Sequence, residues 1–133
     1  MNTTKNKSNK KITALPCRSA VKNDESIENQ KYILLDYVLE NNITEYEFYI
    51  DNGFSGSSLD RPAIKRMIAD IKKGIIESVV VTDISRLARD YSAYSELERI
   101  FEEHGVGLTI LQESKVENEL NQEEKGLARR LAL

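Results

Sequence analysis

Arginine is the residue type of this chain that is best placed to do chemistry. Three loops that each follow a predicted strand contain it: Arg18 in the first, Arg61 in the second, and Arg86 and Arg89 in the third. A guanidinium presents several N–H donors in one plane, which suits the oxygens of a phosphate group. A cluster of such groups in a partly dehydrated cleft would also stabilise the extra charge of a pentavalent phosphoryl transition state. The four arginines therefore predict an anion site at one rim of the molecule.

A simpler interpretation gives each arginine a neighbouring carboxylate as its partner. The pairs that it predicts are Arg61 with Asp60 or Asp51, and Arg86 and Arg89 with Asp83 or Asp90. For any single arginine this interpretation is the stronger one, because surface ion pairs are common. For four arginines that share one rim it is the weaker one.

Charge and composition exclude several classes of protein. The 133 residues carry a net charge of −3, which argues against a domain that coats nucleic acid through bulk positive charge. The charge is uneven, because residues 1–22 carry +6 and the remaining 111 residues carry −9. A local basic site is therefore still allowed. The lack of tryptophan and the presence of only three phenylalanines argue against an aromatic platform for single strands.

The single histidine, His104, and the single cysteine, Cys17, limit metal and thiol chemistry. They cannot supply a zinc tetrahedron, a Cys/His nucleophilic pair or an internal disulfide, so we expect no metal and no cofactor. The sequence has no apolar run of about 18 residues and no signal-peptide core. We therefore expect a soluble, cytoplasmic protein without membrane contact.

Hydrophobic periodicity predicts alternating strands and helices. The predicted strands are 12–17, 46–50, 78–82 and 106–111. The predicted helices run from the cap Ser26 to about Asn41, between the cap Asp60 and the stop Gly74, and from about Tyr91 to His104. Such alternation forms βαβ crossovers, so we expect a three-layer αβα fold with a mostly parallel central sheet of about four to five strands. Ligands of such sheets usually lie beyond the carboxyl ends of the strands.

Five segments resemble the catalytic domain of serine recombinases, the resolvase and invertase group. They are Ser26–Gln30 (SIENQ), Tyr49–Gly56 (YIDNGFSG), Asp60–Pro62 (DRP), Ile84–Asp90 (ISRLARD) and His104–Val106 (HGV). Their order and spacing match over residues 12–111, and the Ser-Arg-Leu in the fourth segment is similar to that of large serine recombinases and transposon integrases. The resemblance implies a resolvase-like catalytic domain in which a serine attacks a DNA phosphodiester and forms a 5′ phosphoserine link. It also implies strand exchange within a synaptic tetramer, with no metal, nucleotide or small-molecule substrate.

The resemblance assigns roles to individual residues. Arg18 matches the arginine two residues before the family nucleophile, and three others match arginines that hold the scissile phosphate: Arg61, Arg86 and Arg89. Asp51 matches an acidic residue that orients an arginine or helps to move the serine's proton, although an aspartate at a strand end is more often a turn former. Gln30 matches a polar active-site residue of the family that binds DNA phosphate. A simpler interpretation is that Gln30 occupies an exposed position of the helix.

The nucleophile is where the sequence departs from the family pattern. Ala20 stands at the position of the family serine, so either Ser19 serves with the loop shifted by one residue or the domain cannot cleave DNA. A shift of one residue moves a side chain by ~3.3 Å and reverses its direction in an extended chain. The loop serines Ser55, Ser57 and Ser58 are expected to shape turns, and Cys17 is expected to point into the core.

The predicted organisation has three parts. Residues 1–11 are expected to be a disordered basic arm, residues 12–121 the catalytic domain, and residues 122–133 the start of a truncated helix that leads toward a missing DNA-binding region. The last part rests on the resemblance, in which that helix supplies the dimer contact. We therefore expect DNA as the partner, with self-association to a dimer and tetramer and with specific sites read by the missing region.

Three functions remain open from the sequence. The first is site-specific DNA recombination with Ser19 as the nucleophile. The second is a catalytically inactive, recombinase-like interaction or DNA-associated module, which the alanine at position 20 favours. The third is a flavodoxin-like or receiver-like signalling domain of the same layered architecture. The third is the weakest, because the chain has no strand-end acidic pair for Mg²⁺ and no glycine-rich phosphate loop.

Overall fold

The computed structural model describes residues 10–111 as one αβα unit. Its strands are β1 (Ile12–Ser19), β2 (Tyr46–Asn52), β3 (Ile76–Val81) and β4 (Gly107–Ile110). Its helices are α1 (Asp24–Glu40), α2 (Pro62–Lys72) and α3 (Tyr91–Glu103), and a short 3-10 helix spans Ile84–Arg86. The expectations for residues 1–9 and 112–133, including the basic arm and the final helix, lie outside the described residues.

The four described strands form one parallel sheet in the order β2-β1-β3-β4. Two apolar clusters cover its faces. Ile27, Leu34 and Val38 of α1 pack with Leu15 and Cys17 on one face. On the other face, α2 and α3 pack against a second cluster that includes Ala14 and Val79. The predicted three-layer fold with a parallel sheet is confirmed.

This topology places its switch point between β1 and β3. The two strands are neighbours, yet the helix that follows β1 lies on one face of the sheet and the helix that follows β3 lies on the other. The paired register of β1 with β3 runs from Ile12↔Ile76 to Ala14↔Val79, whereas β1 stays paired with β2 as far as Ser19↔Asn52. Pro16 lies two residues after Ala14, the last residue of β1 that pairs with β3, and it has no N–H to donate. A crevice at such a switch point is where α/β sheets usually bind ligands.

The strand ends differ from those predicted. β1 continues two residues past Cys17, and β2 continues two residues past Ile50. The extra residues are polar, so hydrophobic patterning ends the strands too early. In the structure Arg18 and Ser19 pair with Asp51 and Asn52 of β2, which keeps both strands extended to the rim.

Two predicted helix caps are wrong. Asn23, rather than Ser26, caps α1, because its side chain accepts the N–H of Ser26 at 3.0 Å. The N-cap of α2 is Arg61, whose side chain makes no capping bond, rather than Asp60. Asp60 instead pairs with Lys65 at 2.8 Å on the surface, and this pairing lowers the pKa of the Asp60 carboxyl. The predicted stop at Gly74 is confirmed, since Gly74 has φ +78° just after α2.

Cys17 lies in the core, as its position in β1 predicts. It is 1% exposed, and burial raises the pKa of its thiol to about 12. The thiol therefore stays protonated at neutral pH. None of the three helices between residues 10 and 111 combines the length and the apolar character that a bilayer crossing requires. In the same range, no group of three or more His, Cys, Asp or Glu side chains is placed to hold a metal ion.

Candidate active site

Arg18 lies at the carboxyl end of β1 and is almost completely buried. Its residue exposure is 2%, and its guanidinium donates only to main-chain carbonyls. Nε and Nη2 donate to the Ser85 carbonyl at 3.1 and 2.7 Å, and Nη1 donates to the Phe54 carbonyl at 3.0 Å. Burial, followed by the charges of Arg86 and Arg89, lowers the pKa of Arg18. The loop after β2 and the 3-10 helix after β3 thus both supply carbonyl acceptors to the Arg18 guanidinium.

Gln30 of α1 fixes the backbone of Arg18. Its Oε1 accepts the Arg18 N–H at 3.0 Å, and its Nε2 donates to the Arg18 carbonyl at 3.0 Å and to Ser26 Oγ at 3.1 Å. Gln30 is 4% exposed, so the interpretation of an exposed helix position is wrong. Arg18 lies beyond Ala14, the last residue of β1 that pairs with β3. There the side-chain amide of Gln30, rather than β3, forms hydrogen bonds with the Arg18 backbone.

Arg61 is the largest fully buried side chain of the described residues. Nη2 donates to the Leu87 carbonyl, while Nε and Nη1 are buried without a hydrogen-bond partner in residues 10–111. Burial lowers the pKa of Arg61 to about 10; the negative charge of Asp51 opposes this shift and the positive charge of Arg18 adds to it. The side chain therefore carries unused donors in a low-dielectric setting, where an unpaired polar group is costly.

Arg86 and Arg89 lie on the segment that follows β3. Arg86 Nη1 donates to the Arg18 carbonyl at 3.0 Å. Its Nε lies 3.3 Å from Asp83 Oδ2, within ion-pair range, but that nitrogen has no hydrogen-bond geometry, so we treat the contact as one of charge alone. Arg89 is exposed, and its backbone N–H donates to the Gly56 carbonyl at 2.8 Å.

Asp51 is buried at the end of β2 and caps α2 from a distance. Its Oδ1 accepts the N–H of Ala63 at 2.8 Å, and its Oδ2 accepts the N–H of Ile64 at 3.2 Å. These amides belong to the first turn of α2, where backbone N–H groups have no partner within the helix. The carboxylate therefore holds the start of the helix whose N-cap is Arg61.

Ser19 faces away from the Arg18 guanidinium. Successive side chains of a strand point to opposite faces of the sheet, and Ser19 follows Arg18 within β1. The Ser19 hydroxyl donates to the Val21 carbonyl at 2.6 Å. Ala20, at the position of the family serine, lies beyond the strand and is exposed.

The loop serines make turn contacts. The hydroxyls of Ser55 and Ser57 are 2.9 Å apart, the Ser57 N–H donates to Ser55 Oγ at 3.1 Å, and Ser58 Oγ accepts the N–H of Asp60 at 2.9 Å. The predicted turn role of these serines agrees with this geometry. Sequence reasoning did not find the carbonyls of Phe54, Ser85 and Leu87, because a backbone acceptor leaves no signal in residue type.

The structure brings the four arginines into one electrostatic cluster. Arg18 responds to the charges of Arg86 and Arg89, and Arg61 responds to that of Arg18. The simple pairing interpretation fits Arg86, which lies beside Asp83. Between residues 10 and 111, no carboxylate oxygen lies within 4.0 Å of a guanidinium nitrogen of the other three arginines. The cluster therefore keeps an excess of positive charge, because its four arginines outnumber Asp51 and Asp83, the two carboxylates whose charges act on Arg18.

Comparison with known proteins places this arrangement in a family. A family model described as the resolvase N-terminal domain matches residues 17–132. The chain belongs to the resolvase family. The resemblance to the serine recombinase domains of that family is confirmed, and the signalling-domain alternative is wrong.

Solved structures of an integrase domain and of two recombinases share the fold. The N-terminal catalytic domain of TP901-1 integrase is 23% identical, with a TM-score of 0.69, and the similarity covers 92% of this chain and 91% of that one. A resolvase-family site-specific recombinase from Streptococcus pneumoniae is 26% identical, with a TM-score of 0.61, and the similarity covers 92% and 83% of the two chains. The C-terminal catalytic domain of ISC1926 TnpA, an IS607-like serine recombinase, is 20% identical with a TM-score of 0.69, covering 90% and 77%.

A curated relative is similar over a shorter stretch. A putative DNA recombinase of Bacillus subtilis (strain 168) is 49% identical over 41 residues, which make up 31% of this chain. The match spans only 8% of that protein's length. The activity of that whole protein is therefore carried over to this chain only within the proposed function.

Proposed function

We propose that this resolvase-family domain binds DNA phosphates with its arginine cluster and acts in site-specific DNA recombination. The observation that carries the proposal is the excess positive charge at the sheet's switch point, where Arg18, Arg61 and Arg89 have no carboxylate oxygen within 4.0 Å among residues 10–111. A phosphodiester supplies the missing negative charge and several acceptor oxygens for the unused donors of Arg61. Transposition, integration and inversion are all reactions of this type, in which DNA strands are broken and rejoined.

The proposed reaction is a pair of phosphoryl transfers. A serine Oγ attacks the phosphorus of a DNA phosphodiester, and the bond from phosphorus to the 3′ oxygen breaks. The serine loses its proton to solvent, the 3′ oxygen takes one up, and the protein is left joined to the 5′ phosphate. The 3′ hydroxyl of another strand then gives up its proton and attacks the phosphorus, the bond from phosphorus to the serine Oγ breaks, and the serine takes up a proton as the strands are joined. The arginines offset the charge of each pentavalent transition state, and the reaction as proposed uses no metal or cofactor.

Asp51 enters the proposal as a positioning residue. Both of its oxygens accept backbone N–H groups of α2, so neither is directed at a serine hydroxyl. By fixing the first turn of α2, the carboxylate also fixes the backbone of Arg61. Gln30 acts in the same way on Arg18.

Ser19 is the proposed nucleophile, and it reaches the arginines only after residues 19–21 change conformation. Its side chain points to the α1 face of β1, and its hydroxyl is engaged by the Val21 carbonyl. Turning it toward the Arg18 face reverses its direction on the strand. Action on cytoplasmic DNA and self-association to a dimer and synaptic tetramer belong to the same proposal.

A DNA-associated domain that does not cleave is the second candidate. The observations that favour it are the alanine at position 20 and the orientation of Ser19 away from the arginine cluster. Such a domain would keep the phosphate contacts and lack the covalent step. It would pair with an active recombinase or occupy DNA without cutting it.

A covalent trap distinguishes the two candidates. The full chain is incubated with a pool of random-sequence duplexes that carry a nick, and DNA-linked peptides are identified by mass spectrometry. We expect a nucleotide adduct on Ser19 that disappears in Ser19→Ala and persists in Ser92→Ala, a change at an exposed position of α3.

The other outcomes of the trap are equally informative. Absence of an adduct from the natural chain, with an adduct formed by Ala20→Ser, would support the domain that binds without cleaving. An adduct that persists in Ser19→Ala would contradict Ser19 as the nucleophile. Failure of every variant to bind DNA would contradict both candidates.

A further inference from the structure

The loop of residues 53–58, which we call the lid, closes directly over Arg18. At its centre Gly56 is buried between two arginines of the cluster. A Cβ atom at this position would lie 2.9 Å from Arg18 Cζ and Nη2, and 2.7 Å from Arg89 Cγ. These separations are shorter than a carbon contact allows, and the φ of Gly56 is not in the left-handed region. Close approach, rather than backbone conformation, is therefore why glycine is needed here.

Hydrogen bonds hold the lid at its start and at its centre. The N–H groups of Gly53 and Phe54 donate to the Ser19 carbonyl at 2.7 and 3.0 Å. The Gly56 carbonyl accepts the Arg89 N–H at 2.8 Å, and the Phe54 carbonyl accepts from Arg18 Nη1 at 3.0 Å. The lid is thus fastened to the end of β1 and to the segment after β3, the two elements that carry Arg18 and Arg89.

The closed lid leaves Arg18 almost without contact with solvent. Arg18 is 2% exposed, and three of its N–H donations already end on carbonyls of the lid and of Ser85. A phosphate oxygen carries more negative charge than a carbonyl oxygen and makes a stronger charge-assisted hydrogen bond. Carbonyls therefore hold the guanidinium in the absence of an anion, and a phosphate is able to displace them.

We propose that residues 53–58 must lift away from Arg18 before a DNA phosphate reaches it, and that Gly56 is the positioning residue that lets this lid close. The proposal rests on the proposed role of Arg18 in binding phosphate. The lid couples phosphate binding to the breaking of all its hydrogen bonds to β1 and to the segment after β3: those from Gly53 and Phe54 to the Ser19 carbonyl, from Arg89 to Gly56 and from Arg18 to Phe54. Binding and loop opening are then a single event.

Chemical modification of arginine tests closure. The full chain is treated with phenylglyoxal, which attacks accessible guanidinium groups, and the modification rate of each arginine is followed by mass spectrometry. In the natural chain we expect Arg18 to react more slowly than Arg99, whose side chain is 59% exposed. Gly56→Ala overpacks the contact, so we expect Arg18 to react about tenfold faster or more. The matched control is Gly107→Ala, whose added Cβ meets nothing closer than Ser78 Cβ at 4.0 Å.

Amide hydrogen exchange on the natural chain tests opening without any substitution. Random-sequence duplex DNA is the probe, and we expect it to speed exchange at Gly53, Phe54 and Arg89 by about tenfold, because their hydrogen bonds break as the lid lifts. Equal Arg18 modification in the natural chain and a folded Gly56→Ala variant would overturn the proposal. So would exchange at the three amides that slows or stays constant when DNA binds.

The two measurements separate failure of the lid from failure of the proposed function. DNA binding without faster exchange at the lid contradicts the lid and leaves DNA binding in place. Faster Arg18 modification in Gly56→Ala, with no DNA binding by either chain, supports closure and contradicts the role of Arg18 in binding phosphate.

Discussion

At the scale of single residues, the arginines of the site are held mainly by main-chain oxygens. Arg18 donates to the carbonyls of Ser85 and Phe54, and Arg61 donates to that of Leu87. Carbonyl partners satisfy donors and position the groups, but they leave the positive charge in place. In the proposed function, a buried arginine with such partners exchanges them for a DNA phosphate.

Gln30 provides a test of positioning at this scale. Gln30→Leu removes the acceptor of the Arg18 N–H and leaves that group buried without a partner, so we expect a loss of about 1–3 kcal/mol in the free energy of unfolding. Asn29→Leu, at the exposed neighbouring position, is the control. Urea denaturation of both variants measures the difference, and equal midpoints would show that the amide does not hold Arg18.

At the scale of elements, β2 and α2 are joined by a capping bond that spans twelve residues. Asp51 at the end of β2 accepts from Ala63 and Ile64 in the first turn of α2. The bond fixes the angle at which the helix leaves the sheet rim and therefore the position of Arg61. The loop between the two elements forms contacts of its own, with Arg18 and Arg89.

Substitutions at two aspartates check this cap. We expect Asp51→Ala to lower the free energy of unfolding by about 1–3 kcal/mol, since it leaves two buried N–H groups without acceptors. Asp60→Ala, which removes only a surface partner of Lys65, should leave the urea midpoint unchanged. A larger loss for Asp60→Ala than for Asp51→Ala would restore the sequence-based choice of cap.

The elements show what sequence reasoning can and cannot reach. Periodicity located all four strands and three helices of the described range, because apolar spacing follows directly from burial. It misplaced the α2 cap because capping rules are local, whereas Asp51 acts from another element. It ended β1 before Arg18 because that residue is polar, although pairing with Asp51 of β2 keeps it in the strand.

The same limit applies to the candidate site. The position of an arginine after a strand is enough to place it at the rim, and the structure brings Arg18, Arg61, Arg86 and Arg89 together there. The burial of Gln30 and the closure of residues 53–58 over Arg18 depend on packing between distant segments. No pattern in one segment carries that information.

At the scale of the whole molecule, a cluster of positive charge lies at the sheet rim of a chain that is negative overall. The net charge is −3, yet four arginines meet where β1 and β3 diverge. In the proposed function, DNA held at this point gains from a few close phosphate contacts rather than from a broad basic surface.

The salt dependence of DNA binding measures how many phosphates the cluster meets. We expect Arg89→Ala to weaken binding to a random-sequence duplex and to reduce the slope of log affinity against log salt by about 1. Arg99→Ala removes an exposed arginine that is paired with Glu103 on α3, so it should leave the slope unchanged. Equal slopes for the natural chain and Arg89→Ala would place the phosphate contacts elsewhere.

The use of main-chain oxygens to hold Arg18 has a consequence for how this protein tolerates mutation. Every residue type has a carbonyl, so replacing the side chain of Phe54 leaves the acceptor of Arg18 Nη1 where it is. Sequences of such domains are then free to drift at that position while the hold on the arginine persists. Insertions or deletions between residues 53 and 58 are a different matter, because they move the oxygens themselves. At Phe54 the site is therefore robust to changes of residue identity, whereas the segment 53–58 is fragile to changes of length.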